Sequence, residues 1–266
     1  MVLANFLPER IAMHENYVKE IRDKGFVILP GLFESSLVEE LKSRLLQYEV
    51  RQTEINRFIY NLQNKDIRFY TLIMRHPLLR GILLACLNDE WYKKIPLDKA
   101  NFIMHGLVGR TGGDKALHLH TDSYMPPAGP HIWNMVVTIA LDPSTLENGC
   151  TRVVPGSHRF GCYGTQDWLK YAFPLECQPG DVVVWDTRLW HAAGANSGPQ
   201  TRWVIHGTFS RWWLKQVWDI PRALPRHFLA ELTDEEKSVL GFCTMSPLNE
   251  DDAVLLQGGY ERLAGL

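Results

Sequence analysis

The segment Leu117-His118-Leu119-His120-Thr121-Asp122 carries the residue types with the most direct chemistry. Alternate side chains on a strand share a face, so His118, His120 and Asp122 would point the same way. His120 and Asp122 can then offer an imidazole nitrogen and a carboxylate oxygen to one metal ion. A third ligand has to come from elsewhere. His191, 69 residues beyond Asp122, follows the run Val182-Val183-Val184-Trp185 and sits where that strand would open into a loop. Two histidines and one carboxylate on one side of a metal leave the opposite positions open, as in non-haem Fe(II) sites that take a bidentate co-substrate and O2. An HxD pair alone is common by chance. His118 and His120 could instead form an HxH pair of the cupin type, and spacing does not choose between the two. His131, His158 and His206 are weaker candidates for contact with substrate or cofactor, because an isolated histidine is more often structural.

Arg202 lies eleven residues after His191 and opens the run Arg202-Trp203-Val204-Ile205-His206. An inward-facing arginine at a strand start is costly unless it meets a carboxylate. A fixed guanidinium can pair bidentately with a small dicarboxylate. A surface role is the plainer reading of Arg202 alone; the ordered set of HxD, later His, then Arg is far more specific.

These residues need elements to hold them. An N-terminal helix leads into the short apolar strand Gly25–Gly31. Ser36-Leu37-Val38-Glu39 has capping-box spacing, followed by a helical period through Leu41 and Leu45. Residues 50–66 are polar and mixed and read as a surface loop or part of a substrate cover. His76–Cys86 reads as a helix with Pro77 near its start. After about residue 98, short β-rich runs alternate with turn formers: Ala100–Met104, Ala116–His120, Trp133–Leu141, Arg152–Val154, Asp181–Trp185 and Arg202–Phe209. Strands at that spacing predict a sandwich or barrel. Beyond Pro221 the chain reads as helical again, starting at Thr233-Asp234-Glu235-Glu236. No linker separates two halves, so a single domain over residues 1–266 is expected, with its β-core at about 98–215.

The composition of the 266 residues bounds the function. Hydrophobic residues make up 45% and charged residues 22%, which is ordinary for a globular chain. With 28 basic and 30 acidic residues, the net charge of -2 offers no global field for nucleic acid. No run approaches the length and apolarity of a membrane span. The five cysteines have no CxxC spacing, and their odd number and wide separation predict reduced thiols in a cytoplasmic setting.

A longer set of motifs surrounds the proposed ligands. After His120-Thr121-Asp122 come Thr145-Leu146-Glu147-Asn148-Gly149-Cys150-Thr151-Arg152-Val153-Val154-Pro155-Gly156-Ser157-His158, then Gln178-Pro179-Gly180-Asp181-Val182-Val183-Val184-Trp185, then His191-Ala192-Ala193-Gly194-Ala195-Asn196, and finally Arg202. In this order they resemble the phytanoyl-CoA dioxygenase (PhyH-like) family of Fe(II)- and 2-oxoglutarate-dependent oxygenases, over most of residues 20–215. The resemblance implies a mainly β fold with flanking helices and a double-stranded β-helix (jelly-roll, cupin-like) core. It implies Fe(II) held by His120, Asp122 and His191, with Arg202 on the far carboxylate of 2-oxoglutarate. By position, Thr138 and Thr145 match sites that hold 2-oxoglutarate, and Asn134 shares the strand face of Thr138. Halogenating relatives replace the carboxylate ligand by Gly or Ala; Asp122 is present, so oxygen insertion is expected.

The resemblance implies hydroxylation of an unactivated C–H bond with O2, releasing succinate and CO2, although some relatives desaturate or cyclise instead. A cupin-like isomerase or hydrolase that ignores 2-oxoglutarate is the alternative. Proximity to the ligands nominates Tyr124, Met125, Arg188, Trp190 and Arg211 for substrate contact. No extended basic cluster suits the phosphates of a CoA tail, so a small metabolite or biosynthetic intermediate is the expected substrate. No nucleic-acid or membrane partner is expected.

Overall fold

In the computed structural model, residues 6–89, 91, 96, 98–123, 129, 131–247 and 249–251 are described. Helix α1 (Phe6–Lys24) leads into strand β1 (Phe26–Leu29), and α2 (Ser35–Leu45) follows. The helical period seats Val38, Leu41 and Leu45 in the interior. The expected capping box at Ser36 does not form. The helix begins at Ser35 behind Glu34, so Ser36 already lies inside the first turn and no side chain caps it.

Residues 50–66 depart from the expected loop. They form β2 (Arg51–Gln52) and β3 (Asn56–Ile59), then the short helix α3 (Leu62–Lys65). β3 pairs antiparallel with β4 (Phe102–Gly112), from Asn56 opposite Gly112 to Ile59 opposite Gly109. That long-range pairing explains why β4 runs far past Met104. The glycine-rich stretch that reads locally as a turn is held extended by a partner some fifty residues away.

The remaining strands are β5 (Leu117–His120), β6 (Asn134–Ala140), β7 (Thr151–Val153), β8 (Phe173–Pro174), β9 (Val182–Asp186), β10 (His191–Ala193) and β11 (Val204–Arg211). They make two antiparallel sheets, of order β1-β9-β6-β11-β4-β3-β2 and β5-β10-β7-β8. This is the jelly-roll type of core with flanking helices. β9 (Val182–Asp186), apolar through Trp185, is buried throughout because β1 and β6 flank it on both sides.

The chain divides into two compact units: residues 1–60 with 108–206, and residues 61–107 with 207–266. The first contains the smaller sheet and most of the larger one. One close loop in this unit turns at Gly149, whose φ of 77° lies in the left-handed region. A Cβ there would collide with the backbone oxygens of Gly194 and Ala195. Gly149→Ala is therefore expected to destabilise the protein by more than about 2 kcal/mol, since it meets both a conformational and a steric penalty. Denaturant unfolding checks this; an unchanged midpoint would show that the loop has room to shift.

The second unit holds α3, α4 (Arg68–Arg75), α5 (Pro77–Leu87), α6 (Ile220–Ala223) and α7 (Asp234–Val239). The expected helix start at Thr233 is a full capping box: the Thr233 hydroxyl accepts from Glu236 N–H, and the Glu236 carboxylate accepts from Thr233 N–H. Glu236 also takes the Arg75 guanidinium, and Tyr70 Oη donates to the Glu236 carbonyl at 2.7 Å. Buried His105 pairs with Ser210 Oγ at 2.5 Å.

Burial pushes His105 down to about 4, and His206 in the first unit likewise to about 4. An unfolded histidine titrates near 6.5. The unfolded chain therefore gains protons that the folded chain refuses as pH falls from about 6.5 to about 4. Stability is full above that window and is lost through it, on the order of 3 kcal/mol for each histidine. Urea midpoints measured between pH 7 and pH 4.5 should fall, and His105→Gln should shrink the fall.

All five cysteines are free. Among the described residues, no single helix is long and apolar enough to cross a membrane.

Candidate metal centre and co-substrate cavity

The two histidines of the proposed triad meet because β5 and β10 are neighbours. His120 stands directly opposite His191 in the antiparallel register, and their ring centroids are 4.2 Å apart. Asp122 follows the end of β5. Its backbone N–H and that of Ser123 donate to the Thr187 carbonyl at 3.0 and 3.2 Å, which turns the carboxylate back toward the strands. His120 Nε2 is 3.6 Å from Asp122 Oδ1, and His191 Nε2 is 3.7 Å from Asp122 Oδ2. The three ligand atoms lie within 4.8 Å of one another.

The hydrogen bonds fix what those atoms offer. His120 Nδ1 lies 2.8 Å from the His118 carbonyl, and His191 Nδ1 lies 2.9 Å from the Leu189 carbonyl. A carbonyl can only accept, so each Nδ1 carries the proton and each Nε2 keeps its lone pair. Two bare imidazole nitrogens and a carboxylate thus face one another with no proton between them. Three electron-pair donors at this separation repel unless a cation joins them. The donor set therefore fits a divalent metal, with the outer hydrogen bonds that usually orient histidine ligands. Burial drives His191 below the ordinary imidazole value. Burial also opposes charge on Asp122, but the positive charge that the surrounding histidines, His191 foremost, take on in acid outweighs this and holds its carboxyl below the usual carboxylate range.

His118 has no place in this cluster. It is exposed, and only its carbonyl touches the site, through His120. The HxH alternative therefore lacks its geometry. His118→Ala is expected to change Fe(II) affinity by less than about threefold, read by metal titration; a loss like that of a true ligand would restore the HxH pairing.

A cavity opens beside the metal cluster, with His191 on its wall. Arg202 also lines it, although β11 begins two residues later than expected, at Val204. Arg202 is 8% exposed. Its backbone N–H donates to Thr111 Oγ1 at 3.1 Å and its Nε to the Asn148 carbonyl at 3.2 Å. Among the described residues no carboxylate pairs with it. Desolvation lowers it to about 10, with Arg110 adding repulsion. A buried guanidinium without a counter-ion on a cavity wall is a site for an anion.

Thr138 lies on the cavity wall too, its Oγ1 3.0 Å from His206 Nδ1. Asn134 begins the same strand, four residues away on the same face. Its Oδ1 is buried with no partner among the described residues, but Asn134 does not line the cavity. Thr145 is also off the wall. Its hydroxyl accepts from the Asn148 N–H within the turn, and the neighbouring Ser144 faces the cavity instead. Thr145 is thus placed as a turn former.

The residues nominated for substrate contact are scattered. Tyr124 and Met125 lie outside the described residues. Arg188 is buried and holds buried Asp186 through Nε and Nη2, at 2.9 and 2.6 Å, so its charge is already answered. Trp190 packs edge-on against Trp168 in a small apolar cluster with Leu119 and Val154. Arg211 ends β11 in the second unit, with Nη1 directed at the Asn88 carbonyl. None of these three lines the cavity. His158 is structural, holding the Arg22 carbonyl at 3.0 Å, and His131 is exposed.

Arg110, Trp185 and His206 do line the cavity. Among the described residues, Trp185 Nε1 is a buried donor without a partner. Arg110 carried no sequence signal beyond a charged residue in a glycine-rich run. Trp185 looked like one more apolar strand residue.

Comparison with known proteins fits this geometry. The model of the family described as phytanoyl-CoA dioxygenase (PhyH) matches residues 21–204. An uncharacterized Mycobacterium tuberculosis protein, Rv1501, is 34% identical over 123 residues, 46% of this chain and 45% of that one. The multifunctional dioxygenase ausE of Emericella nidulans is 30% identical over 263 residues, covering 89% of this chain and 86% of its own. Among solved structures, the epimerase SnoN in complex with Fe3+, alpha ketoglutarate and nogalamycin RO superposes with a TM-score of 0.59 at 19% identity, over 75% of this chain and 84% of that one. The family match spans most of the chain; within it the HxD meets the distant histidine, which shares a cavity wall with the later arginine. The chain belongs to the phytanoyl-CoA dioxygenase family of iron- and 2-oxoglutarate-dependent oxidoreductases.

Proposed function

We propose that this protein is a single-domain Fe(II)- and 2-oxoglutarate-dependent dioxygenase that hydroxylates an unactivated C–H bond of a small metabolite or natural-product intermediate. The observation that carries the reading is the pairing of a proton-free three-donor cluster with an unneutralised guanidinium on an adjoining cavity wall. His120, Asp122 and His191 would hold the metal, and Arg202 the far carboxylate of 2-oxoglutarate. Thr138 and the Trp185 indole N–H line the same cavity and are further groups able to hydrogen-bond that co-substrate. The orphaned Asn134 oxygen lies on the Thr138 face and could orient a donor on substrate. With iron and 2-oxoglutarate bound, the site would supply an oxidant strong enough for C–H cleavage while the co-substrate decarboxylates to succinate and CO2.

The chain's own residues have three tasks in this chemistry. The Nδ1–H bonds to the His118 and Leu189 carbonyls keep both imidazoles in the ligating tautomer. The Asn148 carbonyl holds the Arg202 fork, and Gly112, where a side chain would meet Nη2, leaves room for it. The apolar members of the wall, such as Leu175, Val183 and Val204, exclude water from the reacting centre. The free cysteines support a cytoplasmic location.

A second outcome has a specific observation behind it. The neighbour SnoN is described as an epimerase and the relative ausE as multifunctional, so the same machinery supports products without a new hydroxyl. A substrate screen by succinate release, followed by turnover under 18O2, separates the two. One 18O atom in the product is expected. A product that is unsaturated, cyclised or epimerised and carries no 18O would replace hydroxylation with that outcome. Turnover without succinate would remove 2-oxoglutarate from the reaction.

A further inference from the structure

Arg202 is not the only guanidinium on the cavity wall. Arg110 lines it as well, from the half of β4 that pairs with β3. Its Nε donates to Asn56 Oδ1 at 3.1 Å, and its Cζ stands 5.7 Å from the centroid of the Phe58 ring. An amide oxygen and a ring face orient a guanidinium without neutralising it. Among the described residues no carboxylate forms an ion pair with Arg110.

The second cation sits close to the first. A Cβ on Gly112 would stand 2.9 Å from Arg202 Nη2, so the Arg202 guanidinium lies over Gly112. Arg110 is two residues earlier on the same face of β4, about 7 Å along the strand. Each guanidinium repels the other, and Asp122 attracts Arg110. The wall therefore carries two guanidinium charges, with the Asp122 carboxylate near it as the one opposing charge. A divalent metal and doubly charged 2-oxoglutarate cancel each other on binding. Asp122 answers one guanidinium, and one positive charge remains.

We infer that Arg110 anchors a negatively charged group of the prime substrate, a carboxylate or an equivalent oxyanion, beside the metal ligands. This rests on the reading given under Proposed function, because it assigns Arg202 and the metal to the two ends of 2-oxoglutarate. The far carboxylate then has its partner in Arg202, and the near carboxylate has the metal. Arg110 is left for a third anion. The preferred substrates are organic acids, and their esters and amides are rejected, because a neutral group there leaves a desolvated cation unpaired.

The test uses benzoate and benzamide as probes of equal shape and different charge. The full chain is loaded anaerobically with Fe(II) and saturating 2-oxoglutarate. Probe binding is read from the perturbation of the metal-to-co-substrate charge-transfer band and by calorimetry. Wild-type protein is expected to bind benzoate at least tenfold more tightly than benzamide. Arg110→Met should abolish that preference while keeping the 2-oxoglutarate midpoint within about threefold. Arg110→Lys, which keeps the charge and loses the fork, should retain part of the preference, so misfolding of one variant does not decide the matter.

Equal binding of the two probes by wild type overturns the inference. So does a tenfold or greater loss of 2-oxoglutarate affinity in Arg110→Met, which would make Arg110 a co-substrate residue. Absence of the band in wild type would instead overturn the functional reading, and calorimetric preference for benzoate, lost in Arg110→Met, would still decide whether Arg110 binds an anion.

Discussion

Arg202→Leu is expected to raise the 2-oxoglutarate concentration for half-saturation by about a hundredfold or more, with Fe(II) affinity nearly unchanged. A hundredfold loss corresponds to about 2.7 kcal/mol. That is within the usual cost of removing one partner of a buried, charge-assisted pair. Arg202 is 8% exposed, its guanidinium is fixed by the Asn148 carbonyl, and among the described residues it has no carboxylate to fall back on. Leucine leaves the far carboxylate of the co-substrate desolvated and unpaired. Arg202→Lys should recover only part of the loss, because an ammonium is a point charge and the fork geometry is gone. Anaerobic titration with 2-oxoglutarate at fixed Fe(II) measures both variants. A midpoint within threefold of wild type in Arg202→Leu would take Arg202 out of the co-substrate site.

The second large effect is at the metal. Asp122→Ala and His191→Ala are each expected to lower Fe(II) affinity by more than a hundredfold and to abolish turnover. Both remove a donor that no neighbour can replace: among the described residues, His120, Asp122 and His191 are the only metal-competent cluster. The two variants should differ in stability. Asp122→Ala leaves two neutral imidazoles facing each other and relieves the crowding of donors, so the metal-free protein should unfold at the same denaturant concentration or a slightly higher one. His191→Ala opens a hole at a buried position between Val153 and His120, and its metal-free form should unfold earlier. Metal titration together with denaturant unfolding separates ligand loss from fold loss. Retention of Fe(II) by either variant would break the triad.

The chemistry was more legible in the sequence than the shape of the cavity was. His120, Asp122 and Arg202 stand in short, ordered spacings, and His191 closes an apolar strand, so local pattern reaches all four. The elements around them were legible for the same reason: β1, β6 and β9 are dense apolar runs bounded by turn formers. What escaped depends on pairing between distant segments. β3 is polar, and β4 is broken by glycines, and neither reads as a strand until the other is beside it. Arg110 sits in that blind spot.

The placement of Thr145 off the cavity wall has a different cause. Adjacent residues on extended chain face opposite ways, so a shift of one position moves Ser144 onto the wall and Thr145 off it. For Arg188, proximity to a ligand in sequence does not tell which carboxylate lies within reach. Asp186, two residues earlier, answers its charge.

The central claim is that one cavity joins a ferrous centre to 2-oxoglutarate. Its most direct measurement is made without oxygen, by adding Fe(II) and then 2-oxoglutarate to the metal-free protein and recording the visible spectrum. A weak metal-to-ligand charge-transfer band is expected to appear only with both present and to vanish in Asp122→Ala. Fe(II) binding with no such band at saturating 2-oxoglutarate would contradict the claim and return the site to a cupin-like metal centre that does not use the co-substrate.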